Sequence, residues 1–586
     1  MPRNAWKPGL RKWQICPPAD GLEGLSRKLG VSSLICQLLV NRGIETAEAG
    51  QMFFGPKLTD LHDPGMLSGA EQAARRIARA IKQGEKIVIY GDYDVDGMTS
   101  VAILEACFKL LGASADYYVP HRLEEGYGVN PEAIAKIARE GCDLLITVDC
   151  GISAVEPLAE ATAAGMDVIV TDHHGLGERL PEVEAIVHPA LPGTLYPNPH
   201  LCGAGVALKL AWQVARQVAE TDRVDAPMRK FLLDATTLAA LGTIADVVPL
   251  IGENRSLAHF GLAAMGATDH TGIAALRDAA GIEGKLDSFD VGFKLAPRLN
   301  ACGRMGHARL AVELLTGPEP AKARKIAEYL TEQNSQRQKV EREVLAEALE
   351  MVEAKNLAAE EAGAIVLAGQ DWHGGVVGIV ASRLVDRFAK PTILISRNGD
   401  SLARGSGRSI PGLHMRDALA ACADLLVGFG GHAMAAGLTI ETGKLDAFAA
   451  RFGQYASENL RAEDLAGSLD CEAEVSLADL AYPTVERIDR MAPFGQGNPR
   501  PVLAVRGVRV VNPPKRMGRT GKTAGMVVGQ GPVTMRAVGF GMGDLAELLV
   551  GVNDVDIAVE PVLNHFRGRT SVELQLKDVV WQGMAR

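Results

Sequence analysis

The sequence is poor in several features that define protein classes. Its nine cysteines are scattered and include no CxxC pair. Neither a disulfide framework nor a cysteine-based zinc site is therefore indicated, and reduced, mostly buried thiols of a cytoplasmic protein are expected. No apolar run approaches the ~18–20 residues of a membrane span. The first residues, MPRNAWKPGLRKW, hold no apolar core, so no signal peptide is expected. Aromatic residues are only 5% of the chain, so any stacking surface must rest on few side chains. Positive charge is also lacking. The net charge of −10 argues against a simple basic binding protein. It leaves open an enzyme acting on nucleic acid through local basic surface or bound cations. Internal repeats and low-complexity tracts are absent. What remains is an ordinary globular balance, 47% hydrophobic and 23% charged over 586 residues. At ~100–200 residues per domain this is enough for three or four domains.

The patterning divides the chain further. Residues 1–65 read as a helical segment, with helical spacing over Leu25–Arg42 and again from Glu45 to Phe53, expected to pack on the following domain. Within residues 66–318, short apolar strands alternate with helices: Lys86–Tyr90, Ala115–Val119, Asp143–Val148, Asp167–Thr171 and Ala185–His188 are the strands. This β-α-β series predicts an α/β domain with a doubly wound parallel sheet. Residues 319–356 form a charged helix, Pro320–Lys355, between two domains. Residues 357–465 carry a smaller α/β unit, with strands Ala364–Ala368 and Thr392–Ser396 and helices Val376–Phe388 and Leu413–Leu426. Residues 466–586 are rich in short strands, which suggests a small β-barrel.

The strongest chemical signal is Gly91-Asp92-Tyr93-Asp94-Val95-Asp96-Gly97, three carboxylates at alternate positions directly after an apolar strand. They fall at the carboxyl edge of the sheet, where doubly wound folds place ligands. Their mutual repulsion calls for divalent cations, and oxygen donors suit Mg²⁺ or Mn²⁺. An EF-hand is excluded: its twelfth position would be Ile103 rather than Glu, and the flanks read strand then helix. Asp149 ends another strand, Asp172-His173-His174 a third, and Asp246 a helical stretch. Histidine next to strand-end carboxylates adds an imidazole ligand, whose orientation depends on a second partner. A carboxylate bridging two ions places them ~3.5–4 Å apart, the arrangement that activates water and clamps both oxygens of a phosphoryl transfer.

Taken in order, these pieces resemble the four motifs of the DHH phosphoesterase superfamily. The resemblance implies that Asp94 and Asp149 hold one ion, and that Asp96, Asp149, His173 and Asp246 hold the other. It places His174 against the scissile phosphate, with Asp92 and Asp172 either behind the ligands or partial ligands themselves. Gly428-Phe429-Gly430-Gly431-His432 resembles the glycine-rich motif of the accompanying DHHA1 domain, and Gly405-Ser406-Gly407-Arg408-Ser409 its other nucleotide-facing motif. Length and order are similar to those of the long, single-strand-specific DNA exonucleases of the superfamily. So are the segments 121–128 and Ala296–Met305. This implies a 5′→3′ polarity, mononucleotide release, a role in DNA repair and recombination, a single-strand binding protein as partner, and a monomer. Arg298 and Arg304, with Ser406, Arg408, Gly431 and His432, are the substrate-binding candidates; which arginine meets the 5′ phosphate stays open. The C-terminal barrel resembles an OB-fold, with Arg516, Arg519, Lys522, Phe566 and Arg567 as candidate strand contacts. Smaller members of the superfamily cleave oligoribonucleotides or cyclic dinucleotides, which is the alternative activity. A non-catalytic scaffold would lack the ligands, all of which are present.

Overall fold

The computed structural model describes residues 11–121, 125, 128–305, 307–359, 361–397, 399, 401–461, 467–566 and 568–582, without the side chains of 304 and 305. By internal contacts the chain forms two compact units. One comprises Met1–Phe54, Arg337–Ala492 and Arg500–Arg586; the other comprises Gly55–Gln336 and Pro493–Pro499.

The N-terminal segment, expected to be helical and to pack on the next domain, opens instead with a strand, β1 (Lys12–Ile15). It pairs in parallel with a strand more than 450 residues away, β12 (Ser468–Cys471). The expected helix over Leu25–Arg42 is two helices, Leu22–Leu29 and Ser33–Val40. Gly30 ends the first in a left-handed conformation (φ 64°), and the Ser32 side chain caps the second.

The unit built on Gly55–Gln336 carries a five-stranded sheet of β2 (Ile87–Gly91), β3 (Ala115–Tyr118), β4 (Leu144–Val148), β5 (Asp167–Thr171) and β6 (Ala185–Val187). Its order is β3-β2-β4-β5-β6 and every pairing is parallel. The inner strands β2, β4 and β5 are apolar on both faces because both faces are covered. Ile87 and Ile89 belong to one core with Leu144, Ile146 and Ile169, while Val88 and Tyr90 belong to a second with Leu145, Val168 and Val170. From β2 the chain winds first to β3 and then back to β4, so the order reverses between β2 and β4. In doubly wound sheets such a reversal is where ligands bind, at the carboxyl ends of the two strands. The helices Gly203–Ala219 and Ala226–Ala245 pack against the long helix Val95–Leu110, and Gly252–Gly266 packs against Ala226–Ala245.

The charged helix is continuous over Pro320–Ala354. In the other unit, β7 (Ile365–Gln370), β8 (Thr392–Arg397), β9 (Leu402–Arg408), β10 (Leu426–Gly431) and β11 (Ala435–Glu441) form a mixed sheet, order β10-β11-β9-β8-β7. Only β7 and β8 run parallel. The helix expected over Leu413–Leu426 is confined to Met415–Ala420, because Leu426 already begins β10. Leucines spaced for a helix are here shared between a short helix, a tight turn and a strand.

Farther along the same unit come β13 (Ala473–Glu474), β14 (Leu503–Met517), β15 (Thr523–Gln530), β16 (Val533–Phe540), β17 (Asp554–Phe566) and β18 (Arg569–Val580). β14 pairs with both β15 and β17, so the ring β14-β15-β16-β18-β17 closes into a five-stranded barrel. All nine cysteines are free and all but Cys16 are buried. Among the described residues no helix is long and apolar enough to cross a membrane.

Candidate metal centre

The site grows from three strand ends and one helix end. After β2, Asp94 caps the helix Val95–Leu110: its Oδ1 accepts from the backbone N–H groups of Asp96 (2.9 Å) and Gly97 (3.1 Å). Asn300 adds to this, its Oδ1 accepting from Val95 N–H at 3.1 Å. Gly97 is required by contact, since a Cβ there would lie 2.5 Å from the Asp92 carbonyl oxygen. Asp96 turns inward and is 1% exposed. It accepts from Gly203 N–H (2.6 Å) and Ala204 N–H (2.9 Å), the positive first turn of the helix Gly203–Ala219.

Asp149 follows β4 with φ 61°, a left-handed conformation that few side chains other than Asp and Asn tolerate. Its carboxylate is held in a space that admits no larger neighbours. A Cβ on Gly203 would lie 2.7 Å from Asp149 Oδ1, and one on Gly242 would lie 2.4 Å from Asp96 Oδ1. Asp246 is the C-terminal cap of Ala226–Ala245. After β5 the Asp172 carboxylate accepts from the N–H groups of Ile152, His173 and His174, and from His174 Nδ1 at 2.8 Å. His188 Nε2–H donates to the His174 carbonyl (2.9 Å), while its Nδ1 accepts from Ala190 N–H (3.0 Å).

These contacts split the two histidines. Although burial opposes it, the bond to Asp172 raises His174 to about 9, so its ring is protonated near neutral pH. Burial, then the neighbouring His174 charge, lowers His173 to about 3 and keeps it neutral, as a metal ligand must be. Asp172, despite its burial, is brought to about 2 by His174 and by backbone N–H groups. Burial, reinforced by Asp94, raises Asp96 to about 6; burial, then Asp96, raises Asp246 to about 8. Asp149 is raised well above the carboxylate range by burial and by Asp96.

The donors fit divalent cations. His173 Nε2 lies 3.1 Å from Asp149 Oδ1, 3.6 Å from Asp96 Oδ2 and 3.6 Å from Asp246 Oδ2. Ligands ~2.1 Å from one octahedral ion stand ~3 Å apart, the spacing seen here. His173 Nε2 and Asp149 Oδ1 are buried and accept no hydrogen bond from the described residues, which is costly unless a cation binds them. Atoms within 4.8 Å of one another group Asp96 with His173 and Asp246, Asp92 with Asp94 and Asp149, and Asp149 with both histidines. Asp149 thus stands between two clusters. Asp92 lies within reach of one of them, whereas Asp172 belongs to neither and orients the histidine loop.

Comparison with known proteins agrees with this architecture. Residues 86–243 match the DHH family N-terminal domain, 361–458 the DHHA1 domain and 471–578 the RecJ OB domain. The single-stranded-DNA-specific exonuclease RecJ of Bacillus subtilis is 38% identical over 97% of this chain and 71% of its own length. The Escherichia coli enzyme of the same name is 36% identical over 94% and 96%. The chain belongs to the RecJ family of single-stranded-DNA-specific exonucleases. The crystal structure of RecJ from Thermus thermophilus in complex with Mn²⁺ superposes with a TM-score of 0.82 at 31% identity, covering 98% of this chain and 80% of that one.

The remaining candidates of this RecJ-family chain divide into two groups. Ser406 and Arg408 share one face of β9 and bond to each other, Arg408 Nη1 to Ser406 Oγ at 2.9 Å. Gly378 leaves room for them, since a Cβ there would lie 2.8 Å from Ser406 Oγ. Gly431 ends β10, and exposed His432 donates its backbone N–H to Ala435, whose register partner is Arg408. The two glycine-rich motifs therefore meet at one end of one sheet, as strands rather than loops. Gly431 sits at φ 140°, where a Cβ would strike the Ala435 carbonyl at 2.5 Å. Arg298 is half-buried and bonds to Lys294 O (2.6 Å) and Thr331 Oγ1 (3.2 Å).

In the barrel, Arg516 is already engaged: it bonds Glu547 (2.9 Å), Asp544 (2.8 Å) and Gly521 O (3.1 Å). This conflicts with its expected role, because a guanidinium so paired presents little free charge to a phosphate. Arg519 and Lys522 occupy the β14–β15 turn region, and Phe566 is exposed at the β17–β18 turn. Arg567, the Arg304 side chain, and residues 122–124 and 126–127 lie outside the described residues.

Three groups escaped the sequence reading: His188, Asn300 and a stacked, exposed pair, Phe289 and Phe293, with centroids 4.6 Å apart. For His188 a signal existed, since it directly follows β6 on the same sheet edge. The phenylalanines gave none, as exposure of an aromatic is not written in local sequence.

Proposed function

We propose that this chain hydrolyses single-stranded DNA from the 5′ end, releasing mononucleotides, as a DNA repair and recombination nuclease of the cytoplasm. The carrying observation is the cluster of Asp94, Asp96, Asp149, Asp246 and His173 at the β2/β4 switch point, with Asp96 and Asp149 buried and the others partly exposed. There, carboxylate and imidazole atoms lie at ligand spacing, and among the described residues no lysine or arginine pairs with them. Divalent cations, Mn²⁺ or Mg²⁺, two per site, would supply Lewis acidity for activating water and offsetting charge on the phosphate when bound there.

The chain's own residues do the rest. Asp94 and Asp149 would hold one ion, and Asp96, Asp149, His173 and Asp246 the other. His174, whose Nδ1 is held by Asp172, would donate from its other ring nitrogen to an oxygen of the scissile phosphate. Ser406, Arg408, Gly431 and His432 offer hydroxyl, guanidinium and backbone donors to phosphate, and Arg298 and Arg304 are further candidates for the terminal phosphate. Phe566, with Arg519, Lys522 and Arg567, would favour an unpaired strand on the barrel, and the Phe289–Phe293 pair by itself offers a face for a base. A single-strand binding protein is the expected partner, and the chain acts as a monomer.

The test uses an oligodeoxynucleotide labelled at its 3′ end, with Mn²⁺ or Mg²⁺, beside a duplex of the same sequence. Progressive shortening of the labelled strand, for the single strand alone, is expected. Immediate release of the labelled nucleotide would mean 3′ attack and would discard the polarity. Inertness of DNA with cleavage of short oligoribonucleotides or cyclic dinucleotides would replace the substrate.

A further inference from the structure

Asp246 has a weak local anchor. It caps the C-terminal end of its helix, just past Ala245, and the chain leaves it through Val247 at φ 61°, a conformation strained for a β-branched side chain. Something beyond the helix must hold residues 247–251 in place. Two elements do so.

The first is Asn254, which is fully buried. Its Nδ2 donates to Pro249 O (3.1 Å) and to His200 O (2.6 Å), and its Oδ1 accepts from Asn198 Nδ2 (2.9 Å). His200 lies three residues before Gly203, whose N–H holds Asp96. One amide therefore ties the segment after Asp246 to the segment before the N–H donors of Asp96.

The second is the turn Pro493–Pro499, which belongs to this unit although its sequence neighbours on both sides do not. The Gln496 carbonyl accepts from Leu250 N–H at 2.7 Å. Gly495 and Gly497 close on the same segment. A Cβ on Gly495 would lie 2.7 Å from Leu250 Cδ1, and one on Gly497 would lie 3.1 Å from Pro249 Cβ and 3.3 Å from Ile251 Cγ2. The turn is stiff in its own right. Gly495 and Asn498 exchange backbone bonds (2.9 and 3.2 Å), Gly497 is left-handed at φ 73°, and buried Asn498 donates to Pro493 O at 2.8 Å.

We infer that Asn254 and the Pro493–Pro499 turn are positioning elements of the metal centre, setting the Asp246 carboxylate opposite His173 and Asp96. Neither touches a ligand atom, and each acts through backbone. The inference rests on the metal-binding reading of Asp246, so the experiment separates the two.

Mn²⁺ binding is measured by calorimetry and by electron paramagnetic resonance on the full-length wild type, Asp246→Asn, Asn254→Asp and Gly497→Ala. Asp246→Asn must weaken Mn²⁺ binding; if it does not, the metal reading itself fails. Given that it does, Asn254→Asp and Gly497→Ala are expected to lower Mn²⁺ affinity by about 10–100-fold, as loss of an outer partner does. Cleavage should recover as Mn²⁺ is raised, with the KM for oligonucleotide unchanged. Mn²⁺ titrations that superpose on the wild type would overturn the inference, even if thermal stability falls.

Should a variant not fold, hydrogen exchange on the wild type decides. Added Mn²⁺ should slow exchange in peptides covering both 246–254 and 493–499, because coupling is reciprocal. Protection confined to 246–254 would overturn the role of the turn.

Discussion

Two like-charge clusters stand out in the linear sequence, and the structure treats them oppositely. Around Asp94, Asp96, Asp149 and Asp246, folding brings acid to acid. His174, protonated, is already spoken for by Asp172, and Asp149 Oδ1 and His173 Nε2 accept no hydrogen bond from the described residues. In the basic window Arg500–Lys522 of the barrel, folding brings acids to the bases. Arg500 pairs with Asp489, Arg506 with Glu474 and Asp556, and Arg516 with Asp544 and Glu547. Every one of these acids lies outside the window. Arg509, Lys515 and Arg519 remain exposed with no ion pair among the described residues. An excess of charge in sequence is thus not an excess in space. Exposed long side chains recruit distant partners cheaply, whereas buried carboxylates walled in by Gly203 and Gly242 leave no room for a lysine or arginine to reach them.

The largest effect that tests this contrast is on the acid side. Asp149→Asn should cut cleavage by about a thousandfold, the scale of losing a main transition-state electrostatic group. Its affinity for a single strand should stay within a few-fold, and comparable turnover would break the assignment. Next comes the pH dependence of metal stabilisation. Burial raises Asp96 to about 6 and Asp246 to about 8. A carboxyl whose pKa is raised on folding contributes stability that is fully present below its unfolded value and lost as pH rises through the folded one. The ion-free protein should therefore lose stability from about pH 4 upward through about pH 8. Mn²⁺ favours the ionised forms, so its gain in Tm should be larger near pH 8.5 than near pH 5.5. Equal gains in scanning fluorimetry would mean that the acids are not jointly occupied. The smallest effect sharpens the basic side. Arg519→Ala should reduce the salt slope of single-strand binding by ~0.7, one phosphate contact, while Arg516→Ala should leave it unchanged. Equal slopes for both variants would mean that the Arg516 pairs give way to DNA.

Much of this was legible in local pattern. Strands β2, β4 and β5 are apolar runs ending in acids or in Asp-His-His, so the parallel sheet and the edge carrying its ligands follow from the sequence alone. The missed features share a long-range cause. β1 pairs with β12 across most of the chain. The helix expected to end at Leu426 yields to β10, whose exposed glycines are extended only because β11 pairs with them. Asn300 and His188 act through backbone groups of distant segments, as do Asn254 and Gln496.

The sequence by itself determined the chemistry: which strand ends carry oxygen and imidazole donors, and that cations must satisfy them, because charge and periodicity are local. Only the tertiary structure decided which charges remain uncompensated, which histidine is neutral and which protonated, and what holds Asp246 in place. Asp172 stands beside His174 in sequence, but the burial that keeps His173 neutral and the contacts of Asn254 and Gln496 come from segments that only folding brings together.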